Sequence, residues 1–167
     1  DLLLRDEDGV HHLELAVKLY LGPRQGNGHD TAQWLGPGMG QVAARQMVAA
    51  GRGAIVNISS VSAHGVRTGP PAYAAAKSGV EGLSRLMAVQ LGPHGVRVNT
   101  IVVGTTATPW LLSRKTDSEL NAMRESTITG AIGEPDDIAA AVVFLCSESA
   151  KHITGQLISV SGGQWIP

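Results

Sequence analysis

Gly53-Ala54-Ile55-Val56-Asn57-Ile58-Ser59-Ser60, then Tyr73-Ala74-Ala75-Ala76-Lys77, then Val96-Arg97-Val98-Asn99-Thr100-Ile101-Val102-Val103 decide how this chain folds. The first run is short and dominated by Val and Ile, the pattern of a buried strand over Ala54–Ser59. Residues 61–70, rich in Gly, Pro and His, read as a loop. Pro70-Pro71 fix φ at the start of a helix, where backbone donors have no intrahelical partner to lose. The helix runs from Ala72 to Leu91 and is stopped by Gly92-Pro93. Val96–Val103 is mostly apolar, as a central parallel strand should be. Strand, loop, helix, strand is one crossover unit of a parallel sheet. Open α/β sheets bind ligands beyond the carboxyl ends of their strands. Ser60 and Tyr73 fall there.

Outward from this unit, Met39–Ala50 has helical composition and ends at Gly51, a natural cap. Gly104-Thr105-Thr106-Ala107-Thr108-Pro109 is a hydroxyl-rich loop, and Asp117–Glu125 a polar helix. Glu134-Pro135-Asp136-Asp137 opens a helix reaching Cys146, its acidic residues complementing the helix dipole. Leu157–Val160 is a last strand before Gly162-Gly163. The fold class is α/β: an incomplete, doubly wound, Rossmann-like parallel sheet retaining its C-terminal strands and helices. Within the 72–91 helix, small or apolar positions recur at Ala72, Ala76, Gly79, Leu83 and Leu86. The edge carrying Ala75, Gly79 and Gly82 is nearly bare, so another backbone can approach it, from the sheet or from an identical helix of a partner.

Residues 1–40 read as an irregular segment and 41–167 as part of one domain. Leu13–Leu21 is strand or helix; periodicity does not decide. Gly36-Pro37-Gly38-Met39-Gly40 reads as a turn before a helix. No strand leads into it and no acidic residue follows at the spacing of a nucleotide loop.

The chain's 167 residues suit one domain with a real core, and 43% apolar content is ordinary for a globular protein. A net charge of −1 without a basic run gives no electrostatic basis for nucleic-acid or membrane-surface binding. No apolar run approaches a membrane span, and the first residues lack a signal-peptide pattern. A single cysteine, Cys146, predicts a reducing, cytoplasmic setting and a buried structural thiol. His11, His12, His29, His94 and His152 are scattered without ligand spacing, which predicts no metal site. His64 reads as an exposed loop histidine.

Tyr73 and Lys77 stand four apart on a helix and so share a face, about 5–6 Å apart at Cβ. A phenol ordinarily holds its proton at neutral pH. A cation roughly 5 Å away at an effective dielectric of about 20 stabilises the phenolate by about 3 kcal/mol. A nearby Ser hydroxyl can hold a carbonyl or alcohol oxygen while the phenol exchanges its proton. The bland alternatives stay open: a surface Tyr–Lys pair, a Ser pair that caps a turn, and loop threonines at 106 and 108. A serine hydrolase does not fit, because Ser59-Ser60 lacks the glycines of a nucleophile elbow.

Asn57-Ile58-Ser59-Ser60, Tyr73-Ala74-Ala75-Ala76-Lys77-Ser78-Gly79-Val80 and Val96-Arg97-Val98-Asn99 together resemble the short-chain dehydrogenase/reductase family. The resemblance continues through Gly104, Thr106, Thr108-Pro109, Ile132–Ala139 and Ile153-Thr154-Gly155-Gln156 to Gly162-Gly163. It implies NAD- or NADP-dependent interconversion of a small-molecule alcohol and a carbonyl compound. Tyr73 would be the general acid/base, and Lys77 would support it and hold the nicotinamide ribose. Ser60 would orient the substrate oxygen, and Gly104, Thr106 and Thr108 would line the cofactor. The long helix and last strand imply a homo-oligomer, dimer or tetramer. Residues 1–40 supply no glycine-rich dinucleotide loop, no acidic ribose ligand and no Asn-Ala-Gly strand end. The family's catalytic asparagine has no counterpart near Thr31–Trp34, and Val103 stands where proline is usual. These departures predict weak dinucleotide binding at best. They carry an alternative, a truncated and inactive fragment acting as an oligomerisation module.

Overall fold

A computed structural model of the chain describes residues 2–6, 9–13, 39–66 and 70–167, with side chains from 43 onward. Strands β1 (Leu2–Asp6) and β2 (Gly9–Leu13) form a two-stranded antiparallel sheet of their own, a hairpin the sequence reading does not contain. The expectations placed on residues 14–38 lie outside the described residues. Helix α1 (Met39–Ala50) follows, then β3 (Gly53–Ser60), α2 (Pro71–Leu91), β4 (Val96–Val103), α3 (Pro109–Leu112), α4 (Asp117–Glu125), α5 (Pro135–Cys146) and β5 (Leu157–Val160). A 3-10 turn, Val61–His64, occupies what reads in the sequence as featureless loop.

Strands β3, β4 and β5 form one parallel sheet in that order, as the apolar runs predict. Ser60 pairs in register with Val103, and Val103 with Val160. All three strands therefore end at one level, and their loops leave from one side of the molecule. Central β4 is sealed: Val98, Thr100, Ile101 and Val102 are each 0% exposed.

The two faces of the sheet are unlike. On one, Val56, Ile101, Val142, Leu145 and Ala150 form an apolar cluster with Ile58, Val103, Ile158 and Val160 around it, and α5 covers it. Cys146 borders this cluster, and burial pushes its thiol up from the ordinary range, as a structural thiol requires. The other face lies under α2 and is hydrogen-bonded. Asn57 Nδ2 donates to Ser84 Oγ at 2.8 Å, and Ser59 Oγ to Glu81 Oε1 at 2.5 Å. The α2 stripe turned to the sheet is Lys77, Glu81, Ser84 and Ala88. The bare edge at Ala75, Gly79 and Gly82 does not meet the sheet: Ala75 and Gly79 are exposed, and a Cβ on Gly82 would meet nothing within 4 Å. Leu83, Leu86 and Val89 on the same helix are exposed as well. Among the described residues, the sheet is therefore not what approaches this edge.

Two glycines are dictated by close approach. Gly95, at φ 76°, turns the chain into β4 where a Cβ would collide with the Gly51 carbonyl oxygen. Gly104, just past β4, lies where a Cβ would stand 2.6 Å from Ser161 Cα.

Helix α4 opens with a capping box: Glu119 N donates to Thr116 Oγ1 at 3.3 Å, and Thr116 N to Glu119 Oε2 at 2.9 Å. Hydrogen bonds from Lys115 and from the Thr116 backbone and hydroxyl hold the Glu119 carboxyl down at about 2. Its folded value lies below its unfolded one. The resulting stability is complete above the ordinary carboxylate range near 4.5 and disappears as pH falls toward 2. Glu119→Gln should therefore lower the thermal midpoint at neutral pH and leave it unchanged near pH 2. A midpoint difference constant across that window would refute the box.

Candidate active site at the strand ends

The carboxyl ends of β3 and β4, the turn after β3 and the first two turns of α2 converge. Lys77, in the second turn of α2, is 7% exposed and donates from Nζ to the Ile58 carbonyl at 2.9 Å. The contact fastens the head of the helix to the end of β3. Nζ also lies 5.6 Å from the centroid of the Tyr73 ring. Burial lowers the Lys77 ammonium from its ordinary value, because the charged form loses water. Tyr73 is 46% exposed, and its hydroxyl has no hydrogen-bond partner among the described residues. The half-exposed ring lies over the buried lysine.

Ser60 ends β3. Its Oγ accepts the Ser62 N–H at 3.2 Å and so caps the 3-10 turn. The capping alternative is thus realised, and among the described residues the serine O–H has no acceptor. Ser59, by contrast, is 1% exposed and points under α2.

The remaining predicted residues carry local structural roles. Thr106 Oγ1 donates to the Gly104 carbonyl at 3.3 Å. Thr108 is the N-cap of α3, accepting the Leu111 N–H at 3.2 Å. Gly104 is backed by Ser161 and by Gln164, whose Oε1 accepts the Thr105 N–H at 2.7 Å. A side chain is excluded there by packing between β4 and the segment after β5.

His64 is not the loose loop residue its position suggests. Nε2 lies 3.0 Å from Glu81 Oε1, and the ring stacks on Trp165 with centroids 3.8 Å apart at 12°. Its partners come from α2 and from the far end of the chain, so nothing near it in sequence reveals them. One signal was present: Glu81 shares the inward stripe of α2 with Lys77, Ser84 and Ala88, and a carboxylate on a buried stripe needs partners.

No His, Cys, Asp and Glu group among the described residues could hold a metal ion. No described helix is long and apolar enough to cross a membrane. For a nicotinamide dinucleotide, the residues fit at one end. Among the described residues the Tyr73 hydroxyl has no partner and Lys77 Nζ bonds only the Ile58 carbonyl, a set suited to a ribose. At the phosphate end they do not fit. Thr106 Oγ1 donates to a backbone carbonyl, Thr108 Oγ1 accepts a backbone N–H, and no described strand leads into a helix through a glycine-rich loop.

A family model described as enoyl-(acyl carrier protein) reductase matches residues 36–164, and one described as a domain of unknown function (DUF1853) matches residues 1–42. A short-chain reductase protein, NovJ, of Streptomyces niveus is 40% identical over 126 residues, covering 72% of this chain and 48% of that protein. The human (3R)-3-hydroxyacyl-CoA dehydrogenase is 40% identical over 124 residues, covering 74% of this chain and 47% of its own. Among solved structures, a 3-oxoacyl-[acyl-carrier protein] reductase from Brucella melitensis superposes with a TM-score of 0.69 at 32% identity, over 76% of this chain and 47% of that one. The chain thus spans about half the length of the curated relatives it matches.

Proposed function

Because this chain belongs to the short-chain dehydrogenase/reductase family, we propose that it carries the acid–base half of an alcohol–carbonyl oxidoreductase site, with Tyr73, Lys77 and Ser60 as its working groups. The observation that supports this best is the buried Lys77 ammonium beneath a half-exposed Tyr73 whose hydroxyl has no partner among the described residues. In the reducing direction Tyr73 gives its phenolic proton to the carbonyl oxygen as that oxygen gains negative charge. In the oxidising direction the phenolate takes the alcohol proton back. Lys77 stabilises the phenolate electrostatically, and its burial raises the effect by thinning the water between them. Ser60, whose O–H has no acceptor among the described residues, orients the substrate oxygen. NAD or NADP, when bound, supplies or accepts the hydride. The substrate is a small alcohol or carbonyl compound. The single free thiol suits a reducing cytoplasm, and the exposed Leu83, Leu86 and Val89 of α2 suit a homo-oligomer.

A second reading, a catalytically silent oligomerisation module, is favoured by the poor fit at the dinucleotide's phosphate end. Titrating the protein with NADH and NADPH, followed by nicotinamide fluorescence, separates the two. Weak binding is expected, because no described residue forms a glycine-rich loop for the phosphates. Millimolar binding with cofactor-dependent carbonyl reduction supports the oxidoreductase. No binding, and no turnover on a panel of ketones and aldehydes, would leave the module reading. Micromolar affinity would overturn the argument from the missing phosphate end.

A further inference from the structure

We propose that His64, clamped between Glu81 and Trp165, is a positioning residue that holds the Ser60 turn against α2 and ties it to the segment after β5. The inference rests on the reading of Ser60 as the residue that orients substrate oxygen.

The imidazole is held in two independent ways. Its Nε2 edge meets Glu81 Oε1 at 3.0 Å, and its face lies on Trp165. Glu81 is itself fixed: it is 4% exposed, and its Oε1 also accepts the Ser59 hydroxyl at 2.5 Å. Ser59 in turn reaches the Lys77 carbonyl at 3.4 Å. One carboxylate oxygen therefore joins β3, α2 and the turn that begins at Ser60. Trp165 is anchored through its carbonyl, which accepts the Ser159 hydroxyl at 3.0 Å, and Trp165 N donates to Ser161 Oγ at 3.4 Å. The neighbouring Gln164 reaches Thr105 and Ser126 through its amide nitrogen, at 3.0 and 2.8 Å. The loops after all three parallel strands are thus linked, and His64 is the side chain that ties the β3 turn to the segment after β5.

The turn needs such a tie. Its backbone bonds are long, Gly65 N to Ser62 O at 3.3 Å and Val66 N to Val61 O at 3.4 Å; beside the Ser60 cap at 3.2 Å, Ser78 Oγ of α2 donates to the Ala63 carbonyl at 3.2 Å and Val61 is buried, but none of these reaches the segment after β5. Four residues of 3-10 helix hold poorly alone. A catalytic hydroxyl displaced by an ångström loses much of its effect. The imidazole itself touches no reacting atom in this scheme; it acts through Ser60.

The test uses the full chain and does not require turnover. In His64→Ala, amide exchange at Ser62, Gly65 and Val66 should quicken at least about tenfold, while β4 amides stay within about twofold of the parent. In a Trp34→Phe, Trp110→Phe background, where Trp165 is the sole indole, the same variant should shift emission to the red. His64→Gln, which keeps a donor for Glu81 but no stacking ring, and His64→Phe, which keeps the ring but no donor, should each restore part of the protection. If His64→Ala does not fold, the readings on those two variants decide. Unchanged exchange at the turn overturns the proposal, as does acceleration that spreads through Val96–Val103, which marks a general core role. Where turnover is measurable, kcat should fall with little change in KM. Lost turnover with an unmoved turn would sink the clasp and leave the Tyr73 reading intact. Inert parent protein with a loosened turn would do the reverse.

Discussion

Tyr73→Phe should lower cofactor-dependent turnover by at least about a hundredfold, the smaller end of what a positioned acid or base contributes. Phenylalanine keeps the ring over Lys77 and removes only the hydroxyl, which has no partner among the described residues. The thermal midpoint should therefore stay where it was, and KM should change little. That pairing of a collapsed kcat with an unmoved midpoint separates acid–base chemistry from damage to the fold. Turnover equal to the parent's would eliminate Tyr73 as the proton donor. Lys77 gives the pH dependence a direction. Burial holds its folded value below the ordinary 10.5. Support for the phenolate therefore fades at a lower pH than an exposed lysine would allow. The linkage to stability runs the other way. Between the lowered value and 10.5 the unfolded chain keeps a proton that the folded chain has released, so rising pH favours folding across that window. Activity and stability should thus part company on the alkaline side.

The elements were legible because their signals are local. Pro at the entry and Gly-Pro at the exit bound α2 at Pro71–Leu91, one residue earlier than the reading that began it at Ala72. Acidic first turns and apolar runs placed α4, α5 and β5 at their observed limits. The Tyr73–Lys77 pair was legible for the same reason, since helical spacing alone puts the two on one face. Choices between neighbours and between partners were not. Ser59 and Ser60 are adjacent, yet alternation along β3 sends Ser59 under α2, beside Asn57, while Ser60 reaches the turn. Thr106, Thr108 and Gly104 illustrate another limit. Their types suit a phosphate-lining loop, but the same hydroxyls suit helix caps and the same glycine suits tight packing. Only the fold reveals that Thr106 donates to a backbone carbonyl and that Thr108 caps a helix. His64 lay beyond reach because its partners sit on a helix and at the chain's end, joined to it by folding alone.

Ile101→Ala should be the most damaging single change to the fold, costing about 2–5 kcal/mol against a total of about 5–15 for a domain. Ile101 is 0% exposed at the middle of the central strand. In register it stands between Ile58 of β3 and Ile158 of β5, and it belongs to the cluster that α5 covers with Val142 and Leu145. A cavity there cannot easily close, because hydrogen-bonded strands fix the separation on both sides and the helix rests on several other contacts. The α2 face adds buried Val98 and Val102 but also polar pairs, whereas the α5 face is an unbroken apolar cluster. The strand ends that carry Ser60, Gly104 and Ser161 depend on it. Thermal unfolding checks the claim: at ~2–4 °C per kcal/mol for a chain of this size, the midpoint should drop by on the order of 10 °C. Ile101→Val, which removes one methylene, should cost only about 0.5–1.5 kcal/mol. If alanine and valine give midpoints within a degree of each other, volume at this position does not matter, and the sheet is held by something other than the three isoleucines aligned across it.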